Sequence, residues 1–358
     1  MSAPRTGGVL REGWQATLDD YAIAGVWSHG GELLVVTDAQ GSLYALETRS
    51  GALRWTRPTA HSGGSLALAV DPERRRIASA GQDGRVRLWS AADGTAGVTL
   101  AAGEGWVEHL AWSPDGARIA AACGREVSVW DQDGHRLLTL EEHPSTVSAI
   151  AWQSPSELAT ACYGRVSFFE LAQGRASQCL AWKGSLVSMV LSPDADVVAC
   201  GSQDNSVHFW RRSTGKDSMM TGYSGKPSAL AFDAAGELLA TGGGPTVIVW
   251  RFSAGGPEGT SPGLLDLHDA PVRTLLFAHR RRRLASAGRD RAVIVWDLAG
   301  DGSGEPVGLG VTQDKVEQVL WHPDDCTLAA LDAAGTVCTW RIDPGPVVPG
   351  QPLGSAQR

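Results

Sequence analysis

The chain has 358 residues, 43% of them hydrophobic and 20% charged, the balance of a soluble globular protein. One core rarely grows past ~250–300 residues, so this length calls for two domains or an array of repeats. The formal net charge of -8 disfavours nucleic acid as the main partner, and no apolar run approaches the ~20 residues of a membrane span.

The first ten residues, MSAPRTGGVL, lack an apolar signal-peptide core, so a cytoplasmic location is expected. Residues 9–18 (VLREGWQATL) read as a strand with no unit of its own. From there on, two series of large apolar residues run in step. One ends a strand just before a turn: Trp27, Val70, Trp112, Trp152, Leu191, Phe232, Phe277 and Trp321. The other ends a later strand: Leu46, Trp89, Trp130, Phe169, Trp210, Trp250, Trp296 and Trp340. Each series recurs at ~40–45 residues, the period of a four-stranded propeller blade. The repeated phrase is clearest in residues 77–90 (IASAGQDGRVRLWS), 198–211 (VACGSQDNSVHFWR) and 284–297 (LASAGRDRAVIVWD), two alternating runs joined by a tight turn. After Trp340 the chain is too rich in Pro and Gly for a strand, so the last unit lacks an outer strand. Residues 9–18 are expected to supply it and close the ring. The reading is one domain over residues 1–343 and a disordered tail over 344–358.

Over residues 10–341 this pattern resembles the WD40 repeat family, here as an all-β, eight-bladed β-propeller. In that family a His, a Ser or Thr, an Asp and the Trp of one blade form a hydrogen-bonded chain. The resemblance assigns this chain to His61, Ser79, Asp83 and Trp89, and again to His268, Ser286, Asp290 and Trp296. A His–Ser–Asp set also invites a hydrolase triad. Its recurrence in register, with each Ser in mid-strand rather than on a strained elbow, argues for structure instead.

Repeats keep function where they depart from themselves. The slot nine residues before the end of the first strand holds His61, His143 and His268 in three blades, but Trp182 in the fifth and Tyr223 in the sixth. Tyr163 replaces a turn Asp in the fourth, and Trp106 opens a strand in the third. All four belong to loops or strand starts on the top face of a propeller. They either anchor a protein or peptide partner, with Arg125, Lys183 and Gln203 as a polar rim, or fill the volume of a missing network. The Arg runs of residues 73–79 and 279–286 fall in bottom turns and are expected to be solvated. The six cysteines include no C-x-x-C pair and read as small buried thiols.

Residues 41–55 (GSLYALETRSGALRW) are similar to the repeat of quinoprotein propellers, whose catalytic members bind pyrroloquinoline quinone and calcium. No Asp-rich calcium loop, zinc motif or phosphate-cradling loop accompanies it. The expected function is therefore a non-catalytic scaffold without cofactor or metal. A quinoprotein-like enzyme, or a small molecule or metal held in the central channel, is the alternative. The excess of Arg over Lys points to a bacterial source.

Overall fold

The computed structural model describes residues 10–342. The tail expected over residues 344–358 lies outside them. Within the described residues the chain forms eight antiparallel sheets of four strands, each a blade of a closed propeller. The second blade is representative, with Ser65–Val70 innermost, then Arg76–Gly81 and Arg85–Ser90, and Ala96–Ala101 outermost. Small and β-branched residues fill the two middle strands, where both faces are covered and only compact side chains fit. The turn between these strands needs a left-handed residue, and Gly84 supplies it at φ +70°.

Successive residues of one strand serve opposite interfaces. Ile77 and Trp89 pack with Leu33, Leu43 and Trp55 of the first blade. Their neighbours Ala78 and Leu88 pack with Val107, Trp112 and Ile119 of the third. No blade can bury both faces alone, so stability belongs to the ring.

The ring closes as expected. Arg11–Thr17 pairs antiparallel with Thr336–Arg341 and becomes the outer strand of the eighth blade. A bulge in the pairing lies between Glu12 and Gln15. The Trp14 amide donates to Thr339 Oγ1 at 3.0 Å, and its indole N–H to the Thr48 carbonyl of the first blade at 2.7 Å. The Trp14 ring also lies against Gly51, where a Cβ would come within 2.5 Å of it. The stretch with the quinoprotein-like look, residues 41–55, therefore has a packing reason for its turn glycine. Gly94 meets Trp55 in the same way one blade later.

The four Trp residues that end inner strands form part of a bottom girdle. The indoles of Trp27, Trp152 and Trp321 donate to the inner-strand carbonyls of Leu320, Ala111 and Leu276 in the preceding blades, at 3.3, 3.0 and 3.0 Å. All six cysteines are free, and four of them are buried. No described helix is long and apolar enough to cross a membrane.

Candidate functional site on the top face

In the second blade His61 accepts or donates to Ser79 Oγ through Nε2 at 2.7 Å and meets Asp83 through Nδ1 at 3.0 Å. The Trp89 indole donates to the same Ser79 oxygen at 2.9 Å. The seventh blade repeats this with His268, Asp290, Ser286 and Trp296 at 2.8 Å for each contact. Burial holds the His61 imidazole below its ordinary pKa, against the pull of Asp83. Burial would raise Asp83, but its bonds from His61 and Arg87 hold it below the carboxylate range. Each Ser hydroxyl is enclosed at 0% exposure by the bonds of its own blade, so neither set is open to a substrate.

The four aromatics divide. Tyr223 is buried, and its hydroxyl bonds Thr241 Oγ1 at 2.8 Å and accepts the Trp250 indole at 2.9 Å. It does for the sixth blade what His does for the second, and burial raises its pKa to about 12. Trp182 lies half-buried in the fifth blade, stacked on His208 with ring centroids 3.8 Å apart. The expected arc of four surface anchors is thus corrected to two, because the slot nine residues before the strand end points into the blade. Trp106 and Tyr163 sit elsewhere and are 55% and 58% exposed.

Arg125 is exposed, donates through Nε to the His143 carbonyl at 2.7 Å and pairs with Glu142 at 3.3 Å. Lys183 and Gln203 are exposed on the fifth blade. The sequence reasoning missed the acids. Glu104, Glu108 and Glu126 of the third blade and Glu141 and Glu142 of the fourth are all exposed at the top ends of their strands.

His208 was also missed. It stands two residues before Trp210, so the strand period puts both on one face, and its ring contacts Trp210 edge-on at 4.3 Å. It replaces in volume, not in bonding, the missing slot His. His208 Nε2 lies 3.2 Å from Asp217 Oδ2 of the outer strand, whereas Trp182 Nε1 and Ser202 Oγ lack hydrogen-bond partners. The fourth blade keeps a partial chain, with His143 bonded to Thr160 Oγ1 at 2.8 Å.

The bottom Arg runs are tied down rather than simply solvated. Arg76 pairs with Asp71 at 3.0 Å, Arg283 with Asp297 at 2.6 Å, and Arg282 with Glu237. Asp131, Asp133 and His135 approach one another on an exposed bottom turn, where Asp131 accepts the backbone amides of Asp133 and His135. A groove of about 1150 Å³ follows the ring closure past Trp14, Glu47, Arg49 and Arg341, and carries both signs of charge.

Comparison with known sequences places the WD domain, G-beta repeat on residues 54–90, 95–131, 177–211 and 259–297. Each match runs from the outer strand of one blade through the third strand of the next, the phase that the ring closure imposes. The chain is 26% identical over 294 residues to "Cell division cycle 20.1, cofactor of APC complex" of Arabidopsis thaliana, covering 73% of this chain and 60% of the relative. It is 23% identical over 331 residues to "Autophagy-related protein 16" of the same plant, covering 86% of this chain and 61% of the relative. The chain thus spans about three fifths of the length of these relatives. The crystal structure of the computationally designed Ika8 protein superimposes with a TM-score of 0.79 at 20% identity, covering 94% of this chain and 100% of that one, which is a likeness of fold. The protein carries WD40 repeats in an eight-bladed propeller.

Proposed function

We propose that this protein is a non-catalytic docking platform whose top face, over the third to fifth blades, holds a basic segment of a protein partner. One observation carries the reading: two exposed aromatics, Trp106 and Tyr163, stand on consecutive blades whose connecting segments and strand starts also expose Glu104, Glu108, Glu126, Glu141 and Glu142. Aromatics give large contact area at small entropic cost, and the carboxylates attract Lys and Arg side chains to rings that bind cations. The interlocked blades hold these loops in place before binding, so little order is lost on association. A relative described as the cofactor of a complex supports a role by assembly rather than by chemistry. The excess of Arg over Lys supports a bacterial source, and a cytoplasmic setting completes the proposal.

The test uses short capped peptides that are basic, neutral or acidic and carry the same apolar residues. Their binding is measured by fluorescence anisotropy to wild type and to the Trp106→Ala/Tyr163→Ala double variant. The basic set binds best, weakens with added salt, and loses about tenfold or more in the double variant, on the order of 1.4 kcal/mol. Equal binding by the double variant, or preference for the acidic set, overturns the reading.

A further inference from the structure

The bottom mouth of the central channel contains a cavity of about 280 Å³ between the second, third and fourth blades. Its walls include Val70, Pro72, Trp112 and Trp152, which are apolar, and Arg74. Three features of these residues bear on what the cavity can hold.

The first is an orphan donor. Three inner-strand Trp indoles donate to the preceding blade, as described above, but Trp112 Nε1 is buried without a partner. The Trp112 residue as a whole is 8% exposed. The second is a cation without a counter-charge. Arg74 is half-buried, and its hydrogen bond among the described residues goes to a neutral group, the Trp27 carbonyl, at 2.7 Å. Five guanidinium N–H groups are available and one is used. Asp71, also in the wall, is already engaged by Arg76 and by the amides of Arg75 and Arg76. Burial pushes the Arg74 guanidinium below its ordinary pKa, and no carboxylate offsets that.

The third is backbone strain. Arg74 occupies the left-handed position of its turn at φ +58°. Gly116 and Gly236 fill the same position in the third and sixth blades, at +66° and +70°, and Ala195 and Asp325 fill it in the fifth and eighth, at +55° and +56°. The turn thus accepts glycine, alanine or aspartate, and a long side chain is not required by it. Glycine would suit the turn better, so the fold does not call for arginine.

We propose that this cavity is a binding site for a single carboxylate carried on a short apolar body, held by Arg74 and the Trp112 indole N–H. The anion accepts from both donors, and the body rests on Val70, Pro72 and Trp152. Two sources share this chemistry: a free small organic acid, and an acidic side chain of a peptide. This site is at the opposite end of the channel from the docking face and does not depend on it.

The test follows the Trp112 indole N–H by ¹⁵N NMR, assigned with Trp112→Phe. Propionate, propionamide and the capped peptide N-acetyl-Ala-Glu-Ala-amide are titrated in turn. Propionate moves the Trp112 resonance, propionamide does not, and Arg74→Gln weakens propionate at least tenfold. A second variant, Arg74→Gly, raises the melting temperature by relieving the turn and also abolishes the propionate response. It separates loss of the site from loss of the fold. Binding of the peptide tenfold tighter than propionate assigns the site to a peptide carboxylate, and the reverse order assigns it to a free acid. Equal responses to propionate and propionamide, or no response to either acid, overturn the proposal.

Discussion

The second and sixth blades meet the same packing requirement with different chemistry. In the second, His61 bridges Ser79 and Asp83 and supports Trp89 through the Ser hydroxyl. In the sixth, the single hydroxyl of Tyr223 joins Thr241 to Trp250 directly. The fifth blade fills the slot with Trp182 and His208, turns the His outward to Asp217 and leaves the Trp182 indole N–H unpaired. The volume of the slot must be filled in every blade. Hydrogen bonding within it is a second, separable contribution.

The largest expected effect removes volume and bonding together. Tyr223→Ala should lower stability by about 3–5 kcal/mol, as for other large aromatic truncations in cores, read from the shift of the urea midpoint. Loss of less than about 1 kcal/mol would mean that Tyr223 does not fill the slot. Bonding alone is tested by Tyr223→Phe and Trp89→Phe. Each should cost about 1–3 kcal/mol, the penalty for a buried polar group left without its partner.

A smaller effect distinguishes the two blades by pH. The His61 imidazole is held below the ordinary value of about 6.5 in the folded chain, so the unfolded chain takes up protons first as pH falls. The contribution of neutral His61 is fully present above about pH 6.5 and declines as pH drops from there toward the folded value. His61→Gln should flatten part of the slope of stability between pH 7 and 5, while Tyr223→Phe leaves it unchanged. Equal slopes in wild type and His61→Gln would show that His61 does not titrate in this range.

The smallest effect is expected outside the slot. Trp106→Ala and Tyr163→Ala should each change stability by no more than about 0.5 kcal/mol, as exposed residues do. A cost above about 2 kcal/mol in thermal unfolding would place either ring in the core and remove it from the docking face.

Much of this was legible in the residues. The period of large apolar residues set the number of blades, and a spare strand at one end matched a missing strand at the other. The composition of the slot identified which blades carry His, Ser, Asp and Trp together. Other features were not legible. His208 was visible only as a residue two places before Trp210, with no sign that it would stand under Trp182. Arg74 looked like one of a solvated run, although its neighbour Arg76 pairs with Asp71 and it does not.

The sequence by itself determined the propeller, because strand period, turn chemistry and ring closure are local patterns repeated along the chain. Only the tertiary structure decided which aromatics face solvent. Trp106 and Trp182 both precede inner strands, yet one is 55% exposed and the other stacks on His208. Exposure depends on what the adjoining strands place above a ring, and those strands are distant in sequence. The same holds at the channel mouth, where three blades together leave Arg74 and the Trp112 indole without the partners that their neighbours have.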